Sequence, residues 1–552
     1  MKKICISNRW MGILLPLIFV SYYLSGQSSI QNEIKEHLHY LASPELQGRY
    51  PGTHGDSLAA DFIAQQFQSL RLKPLFHNYY QPFEFIAGAE IGDDNLCIIS
   101  GDTLELFKDF VPLFLSSDGR VNATTSILPA DSVKSLQHNI KPNQWLALLL
   151  NSQEPGQREI FSYASVAESQ KAAGIILIAE FDSLRKINPK QRKQLARGNY
   201  RASIPVVLID KSVWDRKRVK SAPFTIEAKT SVKPITVKTQ NVVGYLPGQV
   251  SPGKYLIVGA HYDHLGFGGI NSGSRMPESH EIHPGADDNA SGTVTIIQLA
   301  KYFSTQKPDL SIVFIAFGVE EQGLVGSRKF LEELPIPTDS ILVMLNFDMV
   351  GRMEEKTLYL SGVGTANLFP ELIQKQKTDI TIVTSNAGSG PSDHATFFNA
   401  KIPVLYFNTG IHTDYHTPGD SPEKINYEGM KAIVQHASQL VTAIMENHKL
   451  ITFDPNAEPN QQSNQTNLKI TLGIMPDVVG GNNNGLKVLG VNPGGIAAKL
   501  ELQKGDLITN INGSNVKNIY DYMNALQYLD RGQVIHITII RNGVEKVLLT
   551  QL

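Results

Sequence analysis

Four unbroken apolar runs stand out in the second half of the chain: KYLIVGAH (254–261), SIVFIAF (311–317), ILVMLNF (341–347) and PVLYFN (403–408). A strand covered on both faces has no polar side to show, so runs of this kind predict parallel strands inside an α/β sheet. Between and after them, GTVTIIQLAKYF (292–303) and NYEGMKAIVQHASQLVTAIMEN (426–447) place apolar residues three and four apart. That spacing predicts helices with one buried stripe. The alternation of strand and helix predicts an α/β fold with a mostly parallel, doubly wound sheet.

The first half has a different rhythm. Residues 30–75 carry two helical patterns, EIKEHLHYLASPEL and DSLAADFIAQQFQSL, separated by the turn-rich QGRYPGTHG. Short strands follow to about residue 115. Residues 116–235, with WLALLL, GIILIA and IPVVLID as strands, look like an inserted β-rich α/β module. Residues 451–468 are polar and weakly patterned, which predicts a linker, and 469–552 form a small β module. The expected organisation is a leader at 1–26, one α/β domain in two segments at 27–115 and 236–450 around the insert, the linker, and the last module.

Composition narrows the function. The 552 residues carry 50 basic and 52 acidic side chains, a net charge of -2, which argues against a general nucleic-acid binder. Lys2, Lys3 and Arg9 precede the apolar MGILLPLIFVSYYL and then SGQSS, the layout of a signal peptide. The apolar run is short for a membrane span. The expectation is therefore a secreted or periplasmic protein with no membrane attachment after cleavage. Cys5 would leave with the leader, and Cys97 alone makes no internal disulfide.

Candidate chemistry collects where the strands end. GAHYDH supplies His261 and Asp263, HPGADDNASG supplies Asp287 and Asp288, and GVEEQGLVGS supplies Glu320 and Glu321. NFDMVGR supplies Asp348, and DYHTPGD supplies His416 and Asp420. Ligands of open α/β sheets bind at the carboxyl ends of the strands, so these groups converge at one edge. Adjacent carboxylates near a low-dielectric interior cost free energy to ionise. Divalent cations offset that cost, and a set of two imidazoles and three carboxylates suits two ions, zinc first among them. One carboxylate must then bridge the ions. His264, His280, His283 and His412 have weaker contexts and read as structural or loop-surface residues.

HYDH, GADDNASG, EEQGLVGS, NFDM and HTPGD, in this order, resemble the co-catalytic zinc exopeptidases that include bacterial leucyl aminopeptidases. The resemblance is strong over 240–450 and looser over 30–115, through LASPELQGRYPGTHGD. It implies that His261, Asp287 and Asp348 hold one Zn2+, and that Asp287, Glu321 and His416 hold the other, two ions per chain with Asp287 bridging. It implies that Glu320 is the general base, that Asp263 orients His261, that Asp420 does likewise for His416, and that a cis peptide joins Asp287 and Asp288. Tyr415 is a candidate oxyanion donor. The insert resembles a protease-associated domain. LGIMPD (472–477) and GLKVLGVNPGGIAAKLELQKGDLITNING (485–513) resemble a bacterial PDZ domain, whose ligands are peptide C-termini. The function implied is an aminopeptidase acting on peptides. A zinc carboxypeptidase or dipeptidase, a single-zinc cyclase on the same fold, and a non-catalytic peptide-binding protein are the alternatives.

Overall fold

The computed structural model describes residues 30–552, apart from 130–139, 151–156, 181–192, 196–200, 218–223, 270–271, 277, 456, 458–471, 477–484, 492–495, 517–521, 523–524, 527–528 and 530–531. The leader at 1–26 and most of the linker lie outside the described residues. Among those described, no helix is long and apolar enough to cross a membrane.

The four apolar runs form the middle of the main sheet. In chain order its chief strands are β1 (Tyr80–Ile91), β2 (Val232–Leu246), β3 (Ser251–His261), β4 (Leu310–Phe317), β5 (Ile341–Phe347), β6 (Thr357–Ser361), β7 (Thr381–Thr384) and β8 (Val404–Asn408). Their spatial order is β7-β6-β8-β5-β3-β4-β2-β1. β8, β5, β3 and β4 run parallel, as their unbroken apolar character predicts. The flanks supply the antiparallel part of this mostly parallel sheet: β6 pairs antiparallel with β8, β2 with β4, and β1 with β2. β1 and β2 bracket the insert and alternate buried with more exposed residues along much of their length, the pattern of strands with one wetter face.

Both faces of the parallel core are covered. Leu256, Val258 and Ala260 of β3 point into one cluster, with Ile296 and Leu299 of α2 (Gly292–Ser304) and Ile433 and Leu440 of α3 (Tyr427–Asn447). Ile257, Val313 and Phe317 point into the other, with Phe330 and Phe397. Ile34 and Leu38 of the first helix (30–41), and Ile63 and Phe67 of α1 (His54–Ser69), complete the first cluster. Burying each such side chain contributes about 1.5–3 kcal/mol. A core of this size can carry the cost of clustered carboxylates at its edge.

The insert has its own eight-stranded sheet, and its boundary differs from the expected residue 116. Leu96–Ile99 pairs antiparallel with Thr225–Thr230, and Phe110–Pro112 pairs with Val206–Asp210, so strands before 116 belong to it. The end of the chain forms a separate sheet around Val488, Ile508, Ile511, Ile535, Ile537 and Ile539.

Candidate metal centre

Parallel strands end together, and the site is built from those ends. β3 delivers His261 as its last residue; the turn after β4 delivers Glu320 and Glu321; β5 is followed directly by Asp348. The segment that leads into α2 carries the Asp-Asp pair, and the loop before α3 carries His416.

Two pockets result. In the first, His261 Nε2 lies 3.3 Å from Asp288 Oδ1, 3.4 Å from Asp348 Oδ1 and 3.9 Å from Glu320 Oε2. In the second, His416 Nε2 lies 3.0 Å from Asp288 Oδ2 and 3.2 Å from Glu321 Oε1. The two oxygens of Asp288 thus face two different histidines. The far nitrogens are occupied: His261 Nδ1 is 3.2 Å from the Asp263 carbonyl, and His416 Nδ1 is 3.0 Å from the Gly273 carbonyl. A donated Nδ1–H leaves Nε2 as the free lone pair in each ring, the tautomer a metal ligand needs.

The structure places Asp288, not Asp287, between the two histidines. Asp287 is fully buried but turned away: its Oδ1 accepts from Gly351 N at 2.6 Å and Ser291 Oγ at 3.1 Å, and its Oδ2 lies 3.1 Å from His412 Nε2. Asp288 has non-helical torsions, φ -103° and ψ 94°, which swing its carboxylate the other way. The one cis peptide of the described residues joins Asp288 and Asn289, not Asp287 and Asp288.

Two further placements, those of Asp420 and His264, differ from the sequence reading. Asp420 does not touch His416; its carboxylate accepts the backbone N–H of Asp287, at 3.0 and 3.1 Å, and that of Asp288 at 3.0 Å. His412 is held against Asp287, where the carboxylate outweighs burial and raises its pKa. His264, read as structural, enters the second pocket: its Nδ1 is 2.9 Å from Glu321 Oε1 and 3.9 Å from Asp288 Oδ2. His261, Asp288 and Asp348 form one set of donor atoms close enough for an ion, and His264, Asp288 and Glu321 another. The signal for His264 was its place three residues beyond His261 at the same strand end.

Asp263 is buried, with its carboxylate 3.7 Å from His261 Nδ1, and it also accepts the N–H groups of Glu320 and Glu321. The two glutamates differ in environment. Burial, with Glu321, Asp393 and Asp348 nearby, raises Glu320 well above the usual carboxylate range. Glu321 is buried too, but His416 and His264 hold it down at about 2.

The residues fit a pair of divalent cations. Two pockets share one carboxylate, their imidazoles are oriented by carbonyls, and buried carboxylates outnumber the buried cations around them.

Residues 241–441 match the model of Peptidase family M28, and residues 487–541 match a PDZ domain model. The aminopeptidase YwaD of Bacillus subtilis is 31% identical over 304 residues, 52% of this chain and 60% of that protein. A probable zinc metalloprotease of Pyrenophora teres is 36% identical over 118 residues, 21% of this chain and 23% of that protein. The chain thus spans less than two thirds of the length of each of these relatives. The solved aminopeptidase from an Aneurinibacillus strain aligns over 74% of this chain and 93% of its own, at 21% identity and a TM-score of 0.48. Residues 241–441, with the paired pockets at their strand ends, are thus similar to Peptidase family M28, and residues 487–541 to PDZ domains.

Proposed function

We propose that the protein is an exported aminopeptidase that holds two zinc ions and removes N-terminal residues from peptides. The observation that carries this reading is the Asp288 carboxylate, with one oxygen toward His261 and the other toward His416. His261, Asp288 and Asp348 would hold one ion; Asp288, Glu321 and His416 the other, with His264 beside it. When bound, zinc polarises the scissile carbonyl and makes a water molecule acidic enough to attack near neutral pH.

The chain's own residues do the rest. Glu320 faces the first pocket, its Oε2 3.9 Å from His261 Nε2, without being required as a ligand, a position that suits a general base that takes a proton there and passes it to the leaving amine. Asp263 holds the backbone of both glutamates, so base and ligand keep a fixed separation. Tyr415 stacks on His416, with ring centroids 3.8 Å apart, which sets its phenol near the site as a donor for the developing oxyanion. The PDZ domain would take a peptide C-terminus by adding a strand. Export rests on the leader at 1–26.

The test offers the purified mature protein, with zinc, one set of peptides bearing free or acetylated N-termini, and reads products by mass spectrometry. Loss of single N-terminal residues from free-amine peptides alone is the expected result. Trimming of acetylated peptides from the C-terminus would make it a carboxypeptidase. Zinc binding without cleavage of either set would point to a dipeptidase, a cyclase or a binding role.

A further inference from the structure

Arg49 is a large, fully buried cation (1% exposed) within the turn Pro44–Arg49, nearly two hundred residues before the segment matched to the peptidase family. Its four hydrogen bonds all go to main-chain carbonyls. Nε donates to Tyr262 at 2.7 Å, Nη1 to Pro284 at 2.7 Å and to Leu41 at 2.5 Å, and Nη2 to Gly285 at 2.9 Å. Tyr262 sits between His261 and Asp263. Pro284 and Gly285 lead directly into Asp288. Three of the four bonds therefore end on the two loops that carry His261 and the bridging carboxylate.

The main chain beside it makes the same connection. The Arg49 carbonyl accepts from His264 N at 3.3 Å and the Gly48 carbonyl from Gly266 N at 3.1 Å. The approach is close enough to demand glycine: at Gly48, φ is 70°, and a Cβ there would lie 2.5 Å from the His283 carbonyl and 2.7 Å from that of Gly266. On the far side of the Asp288 loop, Asp420 takes the N–H groups of Asp287 and Asp288, and its carbonyl accepts from Ala286 N. The loop is gripped by a cation on its carbonyls and an anion on its amides.

A role in packing alone is a poor account of this arrangement. A buried charge is costly to desolvate, and an apolar residue of similar volume usually fills a core at least as well. The planar guanidinium instead offers donors in a rigid fork that one ammonium cannot reproduce. Resting on the zinc reading above, we propose that Arg49 is a positioning residue of the metal centre: it sets the spacing between the His261 loop and the Asp288 loop, which makes the amino-terminal turn part of the ion-binding site.

The experiment compares full-length wild type, Arg49→Lys and Arg49→Met. Zinc affinity of the apoproteins is measured by competition with a chromophoric chelator, alongside apoprotein melting temperature and kcat and KM on a free-amine peptide. The expected result is zinc binding weakened about 10–100-fold in Arg49→Met, less in Arg49→Lys, with kcat falling more than KM rises. A folded variant with zinc affinity within twofold of wild type would overturn the inference. So would failure of both variants to fold, which would assign Arg49 to folding alone. Zinc bound equally by wild type and variants removes the Arg49 inference only; a wild type that takes up no zinc removes the metal reading with it.

Discussion

The Asp263 carboxylate accepts the backbone N–H of Glu320 at 3.0 Å, and its second oxygen accepts that of Glu321 at 3.3 Å. The residue two positions beyond the end of β3 thereby sets the backbone that presents both glutamates after β4. Asp263→Asn keeps the shape but puts an NH2 where one acceptor stood, so one backbone N–H loses its partner. The expected outcome is a fall in kcat of about 10–100-fold, with zinc content near that of wild type. Steady-state kinetics and metal analysis on the same preparation check it; unchanged kcat would show that the glutamates hold their places without this contact.

Asp287 and Asp288 are neighbours with opposite assignments, so their asparagine variants separate cleanly. Asp288→Asn removes the carboxylate shared by both pockets and is expected to lose both ions. Asp287→Asn leaves the pockets' donors in place and disturbs only the contact with His412, so it keeps wild-type zinc stoichiometry. Ligands that bind only the native state raise its stability. The zinc-dependent rise in melting temperature should therefore persist in Asp287→Asn and vanish in Asp288→Asn. The reverse pattern would restore Asp287 as the bridge.

Glu320→Gln is nearly isosteric and removes the proton acceptor. Zinc content is expected to be unchanged while turnover falls about 10²–10⁴-fold, the range for loss of a general base. Metal analysis with a sensitive peptide assay reads both quantities. Loss of zinc in parallel with activity would mean that Glu320 is a ligand and that the roles of the two glutamates are exchanged.

In the PDZ domain, Arg541 binds Asp506 through Nε and Nη2, each at 2.6 Å, and Gln503 N donates to the same carboxylate at 2.8 Å. Burial opposes the Asp506 charge, but these donors prevail and its pKa is lowered. A lowered folded-state pKa contributes stability that is complete above the unfolded value, about 3.9, and is lost as pH falls through the folded value. Asp506→Asn should therefore destabilise this domain by about 1–3 kcal/mol at pH 7, and the difference should shrink once the pH is taken below the unfolded value. Amide exchange of the strands Leu507–Ile511 and Val534–Arg541, read by mass spectrometry at both pH values, tests this. A difference that persists undiminished at low pH would show that the pair is not its source.

Much of this molecule is legible in one dimension. The four apolar runs predict β3, β4, β5 and β8, and the segments that follow them are expected to bring His261, Glu321, Asp348 and His416 to one edge, where the structure places them. These readings work because a buried parallel strand needs unbroken apolar character, and because parallel strands place their carboxyl ends together. Which strands run antiparallel is not legible in the sequence, because β1 and β2 are joined across an insert and pair through contacts that no local pattern records. The insert's first strands were cut off for the same reason: Leu96–Ile99 finds its partner at Thr225–Thr230.

The order of residues thus settles which elements form and which kinds of group meet at one sheet edge, since periodicity and the direction of parallel strands are local properties. Other questions are answered only by the folded chain. Asp287 and Asp288 are the same chemical group in adjacent positions, and it is the torsions at Asp288 that turn one toward the histidines and the other away. His264 joins the second pocket, and Asp420 serves the Asp287 and Asp288 amides rather than His416, through contacts between distant loops. Arg49 reaches Tyr262 across 213 positions of chain. A fully buried guanidinium can be held only where several segments have already brought their carbonyls together, and no spacing along the chain encodes that meeting point.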